Sequence, residues 1–350
     1  MHFIMLSVLL AGLVVSTHAA VLVIGSSGRL GRVVVSKLVS QGIETVSLVR
    51  DPAAALKLPE LAGSKIVQGD VTDVDSLQSA MAGGTIDKVI DVHGVRPPRF
   101  VKLRDILRRP AEDDITHPYN INYKGTANVL SAMKTNNVKK LVRLTGALVG
   151  ASCWKPFVAL FNFLLSFSNK WHERSEILIR DSGIDYTVVR PSELADEPSA
   201  ASLSYPAIGE QATPRYLIAV PGDTTRDKAP PIPIPSKISI RDVADLCVQA
   251  ATKSDKGSLF KSTVICCSAA GDGPRDFNEV MSYETLSDAI FRDDPRKGLV
   301  AGKHELATVI YSTLFTAMAV TLAKGGSILL LSIVRALRHI VAVKTGLSVS

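Results

Sequence analysis

The feature that most constrains this chain is a glycine-rich turn between an apolar run and a helical pattern. Residues 20–24 are all apolar, G-S-S-G-R-L-G follows at 25–31, and apolar residues then recur at helical spacing until Gly42. Such a turn lets main-chain amides approach a pyrophosphate at the N-terminus of the helix. The motif predicts a dinucleotide site; a tight turn without a ligand is the less favoured alternative.

Short β-branched runs alternate with helical stretches on both sides of this turn. The predicted strands are Ala20–Ile24, Glu44–Val49, Lys65–Val67, Lys88–Val92, Lys140–Leu144, Tyr186–Val189 and Ser262–Cys266. Through the sixth strand, each consecutive pair leaves room for a crossover helix. The alternation predicts an α/β fold with a doubly wound parallel sheet of about seven strands.

Residues 199–240 interrupt the alternation. They are rich in Pro and include P-P-I-P-I-P at 230–235. Because Pro cannot join the interior of a sheet, we expect a loop or lid here, forming a small Pro-rich substrate lobe outside the core.

The end of the second strand indicates which dinucleotide binds. NAD sites commonly place a carboxylate there, whereas an Arg accommodates the 2′-phosphate of NADP. Arg50 holds this position, since Asp51 before Pro52 is better explained as a helix N-cap. Arg29 offers a second cation. A guanidinium matches a phosphate bidentately, so NADP(H) is expected, with two ordinary surface arginines as the alternative.

The turn after the third strand offers a contact for the adenine. Asp70 would accept a hydrogen bond from the adenine amino group, with Val71 against the ring, although Asp also serves turns without any ligand. Thr72 and Asp75 resemble a capping box for the next helix.

Five further motifs follow the glycine turn in order. They are S-L-V-R-D-P (47–52), V-Q-G-D-V-T-D (67–73), N-Y-K-G-T-A-N-V-L (122–130), S-G-I-D-Y-T-V-V-R-P (182–191) and I-S-I-R-D-V-A-D-L (238–246). Over about residues 20–270 the chain resembles the atypical short-chain dehydrogenase/reductase family, which has a Rossmann NAD(P)H-binding domain. The resemblance implies cofactor contacts from Gly25, Ser27, Gly28, Arg29, Leu30, Gly31, Arg50, Asp70, Val71, His93, Gly94 and Pro191.

The chain departs from that family at the catalytic positions. Catalytic members use a Tyr and, four residues later, a Lys that lowers the pKa of the Tyr, with a Ser or Thr on the fifth strand. The spacing puts the first two positions at Ser168 and His172, and no Tyr in the chain has a Lys four residues after it. Thr145 retains the hydroxyl position. Thr145 and His172 are therefore the candidates for a proton source, although a single His on a helix is more often a packing or surface residue.

Residues 154–167 form an aromatic, nearly uncharged segment that includes Phe157, Phe161, Phe163 and Phe167. It would cover an apolar substrate or touch a bilayer, and an ordinary core helix is the alternative.

The N-terminus has the pattern of a targeting segment. Ile4–Val15 is apolar and is followed by the small-x-small site T-H-A at 17–19. Residues 1–19 are predicted to be a secretory signal peptide, with an uncleaved anchor as the alternative. Because the first strand begins at once, entry into the endomembrane system is favoured over import into a plastid, as in an alga.

The net charge of +7 is concentrated at the other end, where residues 296–350 hold seven basic residues and one acidic residue. Leu306–Ala323 carries no charge, and Ile328–Val343 surrounds Arg335 and Arg338 with aliphatic residues. We expect residues 20–295 to form the Rossmann domain and 296–350 an apolar, basic helical tail at a membrane surface. Helices packed on the globular domain are the alternative. Since the basic residues do not form a stripe on the folded domain, no nucleic acid is expected.

The four cysteines, Cys153, Cys247, Cys266 and Cys267, lack C-x-x-C spacing. We expect buried thiols and no metal or disulfide framework.

These patterns leave two functional hypotheses. One is an NADPH-dependent reductase acting on an apolar, membrane-borne small molecule. The other is a non-catalytic NADP(H)-binding scaffold or redox sensor at a membrane, which the missing Tyr and Lys favour.

Overall fold

A computed structural model of the chain describes residues 19–95, 114, 116–196, 198–200, 215–222, 236–253, 259–271, 273–282, 293 and 302–323. Its strands are β1 Ala20–Ile24, β2 Thr45–Val49, β3 Lys65–Gln68, β4 Ile86–Asp91, β5 Lys140–Leu144, β6 Asp185–Pro191, β7 Glu193–Ala195, β8 Arg215–Pro221, β9 Lys237–Ser239 and β10 Ser262–Ala270. Its helices are α1 Arg29–Ser40, α2 Pro52–Ala55, α3 Val74–Met81, α4 Gly125–Thr135, α5 Pro156–Leu164, α6 Ser168–Asp181, α7 Ile240–Thr252, α8 Phe277–Ser282 and α9 His304–Ala323.

The main sheet has the strand order β3-β2-β1-β4-β5-β6-β10-β8. Neighbouring strands are parallel except for β8, which runs antiparallel to β10. The order reverses at β1, which lies between β2 and β4. The predicted α/β fold is confirmed, and the seven strands expected from the sequence are the seven parallel ones.

Helices cover both faces of the sheet. On one face α1 packs against α7, burying Val34 and Leu38 together with Val243 and Leu246. On the other face Leu77 of α3 and Met133 of α4 form a second core layer. Burial on both faces explains why the parallel strands have near-continuous apolar sequences.

The prediction that residues 199–240 lie outside the core was wrong in part. Arg215–Pro221 forms β8, the antiparallel edge strand, and Lys237–Ser239 pairs with β7 in a small second sheet. An edge strand tolerates Pro at its ends, which is where Pro214 and Pro221 stand. The P-P-I-P-I-P run and residues 201–214 lie outside the described residues.

The first C-terminal apolar segment is a helix packed on the domain. His304, Ala307, Thr308 and Tyr311 form the buried face of α9, which lies against α5. For this segment the structure agrees with the alternative expectation, a helix packed on the globular domain. No helix within the described residues has both the length and the apolar character needed to cross a membrane. The predicted targeting segment and residues 324–350 lie outside the described residues.

Three local predictions can also be compared with the structure. Asp51 caps α2, as expected, by accepting a hydrogen bond from Ala54 N at 3.0 Å. The capping box at Thr72 was wrong, because Asp73 caps α3 through the amides of residues 75 and 76. All four cysteines are free and buried, as expected, and burial raises the pKa of Cys247 to about 12.

We expect Asp242 to make stability fall as pH rises. Its carboxylate accepts a hydrogen bond from Ala200 N, and burial raises its pKa to about 6. The folded state therefore holds a proton that the unfolded state has lost, so this group stabilises the fold at low pH and loses that effect as pH rises through 6. Asp242→Asn should raise the free energy of unfolding at about pH 8 by about 1–2 kcal/mol and change it little at about pH 4.

Urea unfolding at the two pH values measures this difference. The control is Asp181→Asn, because Asp181 is an exposed carboxylate at the end of a different helix, α6. A pH-independent effect of Asp242→Asn would contradict the assignment.

Candidate functional site

The glycine turn brings the ends of β1 and β4 into contact where the strand order reverses. Gly25 has φ +82°, and a Cβ there would lie 2.9 Å from the backbone nitrogen of His93. A Cβ at Gly31 would lie 2.1 Å from the carbonyl oxygen of Gly25. Side chains are therefore sterically excluded at both positions, and the result is a main-chain cradle at the usual ligand crevice of such sheets.

The turn is held rigidly and its outer side is open. Gly28 N donates to Gly25 O at 2.9 Å, and the buried Ser26 hydroxyl donates to Leu48 O at 2.8 Å. Ser27 is exposed at the mouth, whereas the Leu30 side chain is buried and leaves only its main chain for a ligand. The first turn of α1 has no acidic residue, so its N-terminus suits an anion.

The two arginines of the predicted phosphate site differ in their surroundings. Arg29 forms an exposed ion pair with Asp196 at 2.8 Å. Arg50 is exposed at the end of β2, and its guanidinium makes no ion pair with any residue in the described part of the chain. Arg50 is therefore the cation that is available to a phosphate.

Val71, His93 and Gly125 meet beside the cradle. A Cβ at Gly125 would lie 3.0 Å from Val71 Cγ2 and 3.3 Å from His93 Nε2. Asp70 accepts hydrogen bonds from the amide and hydroxyl of Thr72, both at 2.8 Å. Asp70 therefore stabilises the turn, as Asp does in turns that bind no ligand. Gly94 is exposed next to His93.

A buried charge cluster fixes His93. Its Nδ1 lies 2.5 Å from Asp91 Oδ1, and its Nε2 lies 2.9 Å from Ile121 O. Arg143 on β5 is fully buried and lies 3.0 Å from the same carboxylate oxygen. Burial alone would raise the pKa of Asp91, but Arg143 and His93 hold it below its usual value.

Ser168 and His172, which replace the Tyr and Lys, lie together on one face of α6. The amide nitrogen of Asn122 donates to Ser168 Oγ and to His172 Nε2, each at 3.1 Å. Asn122 belongs to a π-helical turn, Tyr119–Lys124, a feature often found at functional sites. Just before α6, Ser166 and Phe167 have φ of 45° and 61°, and Phe167 is fully buried.

Thr145 points to Glu176, one turn beyond His172 on α6. Its hydroxyl donates to Glu176 Oε1 at 2.7 Å, and Arg190 binds the same carboxylate through both oxygens. Pro191, the last residue of β6, accepts a hydrogen bond from Ala147 N at 2.9 Å. Thr145 therefore contacts the face of α6 that carries His172, but its hydroxyl is already bonded to Glu176.

Four polar residues at this site were not predicted from the sequence: Asn122, Arg143, Glu176 and Arg190. Asn122 stands inside a quoted motif, and the two arginines interrupt apolar strands. A charged residue within a buried strand requires a partner of opposite charge. This pattern in the sequence could have identified Arg143 and Arg190 as members of buried ion pairs. Within the described residues, no group of three or more His, Cys, Asp or Glu side chains is placed to hold a metal ion.

We expect His172 to stay uncharged at neutral pH. Burial lowers its pKa to about 3, and Arg143 and His93 contribute in the same direction. An NMR titration of the ring should show no protonation between about pH 5 and 8, with free imidazole in the sample as the reference. A midpoint near 6 would contradict this prediction.

Comparison with known proteins gives a consistent result. A family model described as NAD(P)H-binding matches residues 25–254. An uncharacterized chloroplastic protein of Arabidopsis thaliana is 26% identical over 272 residues, which are 76% of this chain and 75% of that protein. Sanguinarine reductase of Eschscholzia californica is 24% identical over 77% of this chain and 97% of its own length. A solved structure from Bacillus halodurans, named as an NAD-dependent epimerase/dehydratase, covers 75% of this chain and 99% of its own with TM-score 0.55 at 20% identity, a similarity of fold.

Proposed function

The chain belongs to the NAD(P)H-binding family, as an atypical short-chain dehydrogenase/reductase, and on that premise we propose that it is an NADP(H)-dependent reductase of an apolar, membrane-borne small molecule. The observation that carries the proposal is the pairing of the glycine cradle with Arg50. The cradle suits a diphosphate, and Arg50 stands where a 2′-phosphate would be selected over a hydroxyl.

This geometry and the family resemblance together support a set of cofactor contacts. The main chain at Gly25, Gly28 and Gly31 would hold the diphosphate, Val71 would contact the adenine, and Pro191 would lie near the nicotinamide. When bound, the nicotinamide supplies the hydride. The His93 ring is fixed between Asp91 and Ile121 O, so we assign it a structural role at the base of the cofactor site.

The chain's own residues would then orient the substrate and deliver a proton. Asn122 holds Ser168 and His172 side by side where the proton is needed. His172 is neutral and its Nε2 accepts from Asn122, so it would orient the substrate and not give up a proton. Thr145 is the remaining proton donor, and its hydroxyl would first have to leave Glu176. The apolar helix α5 leads directly into this site and suits an apolar substrate.

A second candidate function is a non-catalytic scaffold or redox sensor that binds NADP(H) at a membrane. It is favoured by one observation: a Ser and an uncharged His stand where catalytic relatives have Tyr and Lys. Both candidates require the same nucleotide site.

Turnover distinguishes the two candidates. Purified protein with NADPH and extracted membrane lipids should lose nicotinamide absorbance if the chain is a reductase, with NADH in a parallel mixture as the control. Tight NADPH binding with no oxidation across lipid fractions would contradict the reductase and favour the scaffold.

We expect Arg50→Ala to lower the affinity for NADPH by about 10- to 100-fold, because a charge-assisted contact to the 2′-phosphate is lost. The affinity for NADH should change little. Calorimetric titration with both nucleotides measures this. The control is Lys134→Ala, an exposed cation at the end of α4. Equal losses for NADPH and NADH would contradict the phosphate assignment.

We also propose entry into the endomembrane system, on the strength of the apolar residues 4–15. A plastid is the alternative, and the Arabidopsis relative described above is named as chloroplastic.

A further inference from the structure

Helix α5 is apolar on the side that faces away from the domain. Its buried side holds Val158, Ala159 and Asn162. Its outer side holds Phe157, Leu160, Phe161 and Leu164, at i, i+3, i+4 and i+7. Phe157 is 42% and Leu160 39% exposed. A helix that is apolar on both sides normally has a partner on each.

Helix α9, which packs against α5, also exposes apolar side chains. Leu306 is 43% and Val309 37% exposed on the side opposite to its buried face. With Phe315, these residues and the two on α5 account for all but one of the exposed large apolar side chains in the described part of the chain. The exception is Leu56. Apolar exposure is therefore concentrated on two helices that pack together.

Polar contacts keep α9 in this orientation. His304 lies 3.0 Å from Asn162 Nδ2 and 3.1 Å from Glu173 Oε1, and the Tyr311 hydroxyl donates to Trp154 O at 2.6 Å. These contacts tie one side of α9 to the domain, so Leu306 and Val309 must face outward.

The edges of this surface are basic. Residues 146–172 contain two lysines and no acidic residue. Lys155 is exposed at the start of α5 and Lys303 at the start of α9. The one carboxylate in the sequence of α9, Glu305, is paired with Lys170. An apolar stripe bordered by lysines complements a lipid surface with anionic headgroups.

We propose that the outer face of α5 and α9 docks on an anionic lipid bilayer, with the α5 stripe lying at the boundary between headgroups and acyl chains. The inference deepens the proposed function and rests on it for its purpose, because α5 leads into the helix that carries Ser168 and His172. Lipid contact there would bring an apolar substrate from the bilayer to the site.

The test uses the full-length protein and co-sedimentation with vesicles of phosphatidylcholine plus phosphatidylglycerol. Wild type should bind, and the double variant Phe157→Asp, Leu160→Asp should bind about tenfold more weakly or worse. The control is Leu56→Asp, which places one such charge on an exposed apolar residue outside this surface and should bind as wild type does. Point variants are preferred to removal of residues 304–350, because α9 is packed into the domain.

Charge reversal gives a second arm. Lys155→Glu and Lys303→Glu should each weaken binding to the anionic vesicles by about fivefold, whereas Lys134→Glu should have no effect. Vesicles of phosphatidylcholine alone should bind all these proteins weakly and alike. Equal binding of wild type and the Lys155 and Lys303 variants to anionic vesicles would contradict the claim that these lysines contact anionic headgroups.

Three outcomes would overturn the proposal: no binding by wild type, unchanged binding by the Phe157, Leu160 variant, or a wild-type dimer that this variant dissociates. The last would identify the surface as an interface between two copies. NADPH titration of each variant keeps the two proposals distinguishable. A protein that binds vesicles but no nucleotide contradicts the proposed function alone, and the reverse contradicts the docking surface alone.

Discussion

The steric exclusion of side chains at Gly25 and Gly31 is the constraint on which the rest depends. Because a Cβ at Gly31 would lie 2.1 Å from Gly25 O, the first helix can rest directly on the end of β1 only if this position is glycine. Gly25 likewise lets β1 and β4 approach at the point where the sheet changes direction. The nucleotide cradle and the placement of His93 both follow from these two contacts.

A second level of organisation comes from charges buried under the site. Asp91, Arg143, Glu176 and Arg190 are all fully or almost fully buried, and each carboxylate faces a guanidinium. Such pairs add little net stability, but removing one member leaves an uncompensated charge. They therefore fix the orientation of His93 and α6 more than they stabilise the fold.

Local patterns in the sequence were sufficient for the parallel sheet and the glycine turn, because both depend on neighbouring residues. Asp51 as a helix cap was predicted for the same reason. The edge strand β8 was missed because its flanking prolines are typical of loops, and only its pairing with β10 identifies it. The partners of Asn122, Arg143 and Glu176 come from distant parts of the chain, and no local pattern specifies them. Thr145 lies directly after β5 and not on the strand, and its bond to Glu176 has no local signal in the sequence.

The link between α5 and α6 has a mechanical consequence. Ser166 and Phe167 both adopt left-handed backbone angles, which cost about 1–3 kcal/mol each and persist only where surroundings enforce them. Phe167 is enclosed on all sides, and its amide donates to Asn162 O at 2.8 Å. The link between α5 and α6 is therefore rigid and does not act as a hinge. We therefore expect a movement of α5 to be transmitted to α6, which carries Ser168 and His172.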